Sequence, residues 1–129
     1  MAKLTTLNGK KIEFTPGSVV AVTDHDLNEI GGNEVTCIYG ITAGAINIAQ
    51  PIKDFIAGLG LAGEFFAINL LNGLTAYLSA PAVKSVLEPE PGVYSDAVKA
   101  VISVGDLTIA IAEDMDSLTK AINAHGGNV

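Results

Sequence analysis

Apolar and polar side chains exchange at every step in Lys11-Ile12-Glu13-Phe14, and a second short run, Leu4 to Leu7, precedes it across Asn8-Gly9-Lys10. A period of two marks a half-buried strand, and Asn-Gly is a short-loop signal because both residues tolerate positive φ, so these residues predict a β-hairpin. Pro16-Gly17-Ser18 punctuates the chain, and Ser18 to Thr23 reads as a further strand. Asp24 to Asn33 is a polar loop ending in Gly31-Gly32-Asn33. Glu34 to Tyr39 alternates again, with Val35, Cys37 and Tyr39 on one face, and Ile41 to Ala45 turns through Gly44 into Ile46 and Ile48. The period then changes. Ile52, Phe55, Ile56 and Leu59 fall at i, i+3, i+4 and i+7, one face of a helix that Pro51 starts and that Gly58 and Gly60 stop.

The scheme then returns. Leu7-Asn8-Gly9 recurs as Leu71-Asn72-Gly73, and at the same offset Leu4 faces Ile68, Phe14 faces Leu78, Val19 faces Val83 and Val22 faces Val86. One extra loop residue aligns Cys37, Tyr39 and Gly40 with Ile102, Val104 and Gly105. A shorter turn then sets Ile46 to Gln50 against Ile109 to Glu113, and Ile52, Phe55 and Leu59 against Met115, Leu118 and Ile122. The second copy predicts strands over Val98 to Val104 and Leu107 to Ala112, and a helix from about Asp114 to Asn123, with Glu113, Asp114 and Asp116 at the positive end of its dipole.

The expected fold is therefore α+β, mostly β, a tandem duplication of a hairpin-rich unit closed by a short helix. Residues 1–59 form the first ββββα repeat, 60–65 a glycine-rich apolar connector, and 66–129 the second repeat with a mobile tail over 124–129. The connector is too apolar for a solvated Gly/Ser linker, so the copies are expected to pack together.

Composition narrows the function classes. The 129 residues are 49% hydrophobic and 16% charged, with a net charge of −7, and the mean hydropathy is +0.43. A chain this apolar is not disordered. All seven basic residues are lysines and tryptophan is absent; without arginine forks, a basic run or a stacking platform, no nucleic-acid partner is expected. Phe65 to Val83 carries no charge, but Asn72-Gly73 near its middle suits a strand-turn-strand and not a membrane span. MAKLTTLNGKK has no apolar stretch behind a basic head, so no secretory signal is expected, and the chain is placed in the cytoplasm of the producing cell.

Candidate chemistry is sparse. Asp24-His25-Asp26-Leu27-Asn28 places oxygen ligands at alternate positions as a calcium loop does, but Glu29 stands where the turn needs glycine and Val35 where a bidentate glutamate belongs. His25 and one other histidine cannot build a zinc site with a single cysteine. Cys37 aligns with Ile102 and is expected to be core. Gly58 to Gly63 spells G-x-G-x-x-G, but it follows a helix, whereas a phosphate cradle opens one. Glu88-Pro89-Glu90-Pro91-Gly92 is a stiff polar loop with no partner acid or base. No catalytic, cofactor-binding or metal-binding residue is assigned, and the chain is expected not to be an enzyme.

Lys3-Leu4, Leu7-Asn8-Gly9, Pro16 and the closing helix of KLTTLNGKKIEFTPGSVVAV…EVTCIYG…INIAQPIKDFIAGL resemble the small flagellar-operon family called FlbD or SwrD. The resemblance covers residues 1–59 and, more faintly, 66–123; the chain departs from the family in being duplicated and far more apolar. Small proteins of this look also occur as phage virion accessory proteins. The resemblance implies a β-rich fold and brings no catalytic residues. Short hairpins leave strand edges to be covered, and so apolar a chain leaves surface to bury. The expectation is a structural or assembly protein: a phage capsid cement or decoration protein that forms a homo-oligomer or binds the capsid shell and ends in the virion. The alternative is a cytosolic motility accessory factor.

Overall fold

A computed structural model describes residues 2–23, 36–42, 44–70 and 75–129. Among them are ten strands and two α-helices, an α+β fold that is mostly β, as the alternation predicts. The chain divides into two compact units, Met1–Ala62 and Gly63–Val129.

In the first unit β1 (Ala2–Thr5) and β2 (Lys11–Phe14) form the hairpin, pairing Ala2 with Phe14 and Leu4 with Ile12. The period-two pattern sorts its faces: Leu4 and Phe14 are buried, whereas Lys3, Thr5, Lys11 and Glu13 are exposed. A 3-10 turn over Pro16–Ser18 follows, started by the fixed φ of Pro16. Then come β3 (Ala21–Thr23), β4 (Thr36–Tyr39) and β5 (Ile46–Ile48), antiparallel in the order β5-β4-β3. Helix α1 (Ile52–Leu59) buries the four side chains that its spacing puts on one face: Ile52, Phe55, Ile56 and Leu59. Gly58 lies inside this helix and costs it about 1 kcal/mol relative to alanine. Each buried side chain contributes about 1.5–3 kcal/mol, so packing outweighs propensity. Phe55 stacks on Phe14 of the hairpin, with ring centroids 6.2 Å apart and an interplanar angle of 24°.

The second unit begins with β6 (Phe65–Asn69) and β7 (Thr75–Ser79), burying Phe66, Ile68, Ala76 and Leu78. A 3-10 turn over Ala80–Ala82 leads into β8 (Val83–Leu87), β9 (Ala100–Val104) and β10 (Leu107–Ile111), in the order β10-β9-β8. Helix α2 (Met115–Ala124) buries Leu118 and Ile122 completely. Asp114 caps it, accepting from the backbone N–H of Ser117 at 2.9 Å and the Ser117 hydroxyl at 3.0 Å. These bonds, the backbone one foremost, hold the Asp114 carboxyl below its usual value of 3.8.

The units share an element order: hairpin, 3-10 turn, three antiparallel strands, helix. Their hairpins also share a register, since Ala2↔Phe14 and Leu4↔Ile12 recur as Phe66↔Leu78 and Ile68↔Ala76 at the offset read from Leu-Asn-Gly. The 3-10 turns keep that offset, and the helix starts, Ile52 and Met115, keep the later one.

Several local expectations change. The first hairpin closes through three residues, Leu7-Asn8-Gly9: Gly9 N–H donates to Thr6 O and Thr6 N–H to Lys10 O, both at 2.9 Å. Only Gly9 has positive φ, +83°, because a type I turn followed by one left-handed residue closes the loop without demanding that of Asn8. Leu7 is therefore in the turn and not in β1. The strand expected from Ser18 starts only at Ala21, after the proline-initiated turn. All four residues of β4 are buried, so both of its faces are covered; Thr36 tolerates this because its hydroxyl donates to Gln50 O at 2.5 Å. At the end of α2, Gly127 N–H donates to Ile122 O at 2.9 Å in a Schellman-type close, and Val129 N–H donates to Asn123 Oδ1 at 3.2 Å. The loop Asp24 to Asn33, Val35 and the Leu71-Asn72-Gly73 turn lie outside the described residues.

Phe55→Ala removes the ring that joins helix to hairpin and should cost about 3–5 kcal/mol in a denaturant titration. Asp114 gives a pH signature. A carboxylate with a lowered folded pKa stabilises fully above the unfolded value and loses that contribution as pH falls through the folded one. Asp114→Asn, still a competent cap, should melt near wild type at pH 7 and lose less stability than wild type below pH 3.8.

Candidate functional site

The residues with candidate chemistry do not converge on one place. Asp24, His25, Asp26 and Asn28 lie outside the described residues. Cys37 is buried in β4, where its thiol donates to Asn47 Oδ1 on β5 at 2.9 Å. Gly58 ends up inside α1, and Gly60, with φ +75°, closes that helix; the glycine run ends one α-helix and opens only a 3-10 turn over Ala62–Glu64, not an α-helix. Among the described residues no three His, Cys, Asp or Glu side chains come close enough to hold a metal ion, and no helix is long and apolar enough to cross a membrane.

What the fold does build is a groove of about 810 Å³ in the first unit. The hairpin supplies Lys3, Leu4, Thr5, Lys11, Ile12 and Glu13; the stretch leaving β5 supplies Ile48, Ala49 and Gln50. The groove forms because the hairpin meets β5 only near its turn, where Leu7 N–H donates to Asn47 O at 3.1 Å. The second unit treats the same seam differently. There Leu70 bridges to Ile111, and Asn69 donates to Glu113 Oε1 from its backbone N–H at 3.4 Å and its side-chain amide at 3.3 Å. In the aligned positions of the first unit stand Thr5 and Gln50, two neutral side chains lining the groove.

The mouth of the groove is charged. Lys3 pairs with Glu13 at 3.5 Å, the one ion pair among the described residues. Its side chains are 75% and 63% exposed, so it contributes less than about 1 kcal/mol. Lys11 on the same face is exposed and adds a net positive charge. The aligned face of the second hairpin carries Ala67 and Tyr77 in place of Lys3 and Glu13. The sequence signal for this patch is the crowding of three of the seven lysines into the first eleven residues of an acidic chain, with Glu13 the only carboxylate before Asp24.

No family model, no characterised protein and no solved structure matches this chain.

A second exposed feature lies between β8 and β9. Glu90-Pro91-Gly92-Val93 forms a turn in which Val93 N–H donates to Glu90 O at 3.2 Å. Gly92 has φ +83°, the value that the third residue of a type II turn requires after a proline. Leu87 and Val93 are 55% and 66% exposed at either side of the two glutamates. These are the two most exposed large apolar side chains among the described residues, Leu87 at the end of β8 and Val93 in the turn.

Proposed function

We propose that this chain is a non-catalytic structural protein built from two copies of one unit, and that it serves as a phage capsid cement or decoration protein. The observation that carries the reading is the first hairpin. Among the described residues β2 pairs only with β1, so one strand edge keeps its backbone groups for a partner. An open edge of this kind is a template for strand pairing; its four-residue length and the charges of Lys11 and Glu13 restrict which partner fits. Exposed Leu87 at the end of β8 and Val93 in the Glu90–Val93 turn support the same reading, because they leave apolar surface for a partner to bury.

The duplication rests on the shared element order and hairpin register of the two units. The divergence of their outer hairpin faces, charged in the first unit and neutral in the second, suits a protein whose two units make different contacts. The resemblance of Leu7-Asn8-Gly9 and its surroundings to the flagellar-operon proteins supports the motility factor as the second reading.

Gene neighbourhood and co-sedimentation test the choice together. Capsid and portal genes should flank the gene, and the purified chain should pellet with the shells those genes assemble. A stable monomer with no affinity for assembled shells overturns the reading, and flagellar genes on both sides favour the alternative.

A further inference from the structure

We infer that the groove of the first unit is the docking site for the acidic loop, Leu87–Asp96, of a second copy of this chain. The inference deepens the assembly reading and rests on it. Charge selects the occupant. The groove presents Lys3 and Lys11 against a single carboxylate, Glu13, on a chain whose net charge is −7, so an acidic segment of another copy is attracted to it. The segment Leu87-Glu88-Pro89-Glu90-Pro91-Gly92-Val93-Tyr94-Ser95-Asp96 contains three carboxylates and no lysine. Glu88, Glu90 and Asp96 are all exposed.

Shape and entropy agree with charge. The groove lining includes the apolar Leu4, Ile12, Ile48 and Ala49, and the acidic segment offers Leu87 and Val93 to cover apolar surface. Pro89, Pro91 and the type II turn already fix the backbone of the loop, so docking orders few new torsions, which is how preorganised ligands gain affinity. The aligned seam of the second unit is not an equivalent acceptor: Asn69 and Glu113 bridge it, and its hairpin has no lysine. Each copy thus offers one groove, in its first unit, and one acidic segment, in its second. A contact between unlike patches is heterologous, and it generates a ring if the rotation closes and a filament if it does not.

The test uses the full chain in sedimentation velocity over a range of concentrations. Wild type should self-associate, and added salt should weaken the association, because the charges lie at an exposed rim. Lys3→Glu/Lys11→Glu and Glu88→Lys/Glu90→Lys should each weaken self-association about tenfold or more. An equimolar mixture of the two variants should restore it, since each then meets a partner of opposite sign. A wild type that stays monomeric at every concentration, or variants that associate as wild type does, overturns the inference. Co-sedimentation with shells, measured separately, can succeed while this contact fails. If charge reversal unfolds the chain, a synthetic peptide of residues 87–96 added to wild type decides: a peptide that disperses the oligomer supports the contact, and one without effect overturns it.

Discussion

A two-stranded hairpin is not stable alone in water, so each unit depends on burying one face of its hairpin. Leu4 and Phe14 do this in the first unit, and Phe66, Ile68, Ala76 and Leu78 in the second. The alternation that makes those side chains share a face also fixes the register, because a slip by one residue would turn every one of them to solvent. Helix and sheet follow from the same requirement. Phe55 reaches from α1 to stack on Phe14, and the last of the three antiparallel strands of each unit meets its hairpin through a backbone contact, Leu7 to Asn47 in one unit and Leu70 to Ile111 in the other.

Once the inner face is committed, the outer face is free to diverge. The first hairpin carries Lys3, Lys11 and Glu13 outward, and the second carries Ala67, Tyr77 and Thr75 at the aligned positions. Two exchanges along the seam have a comparable effect. Glu113 accepts two bonds from Asn69, whereas Gln50 and Thr5 line a groove. The element order is thus common to both units while the chemistry of the hairpin surface is particular to each.

Much of the fold was legible because the periods are clean. The face of α1 reads directly from Ile52, Phe55, Ile56 and Leu59, and Asp114 stands one residue ahead of the helix it caps. Turn chemistry was less legible. Asn8-Gly9 suggests a loop with two left-handed residues, yet the Thr6–Lys10 pairing admits a third residue and leaves the left-handed conformation to Gly9 alone. The burial of both faces of β4 was also hidden, since Thr36 reads as polar until its hydroxyl finds Gln50 O. The groove could not be read at all from local pattern. It joins residues 3–13 with residues 48–50, which only the tertiary fold brings together, and the lysine cluster was its one trace in the sequence.

Assembly through the first hairpin, as proposed, is tested at the residues concerned by amide hydrogen exchange compared between the dilute chain and its assembled state. Exchange from Lys3 to Glu13 should slow on assembly, with the amides of α2 unchanged. Identical exchange along the hairpin in the two states would contradict it.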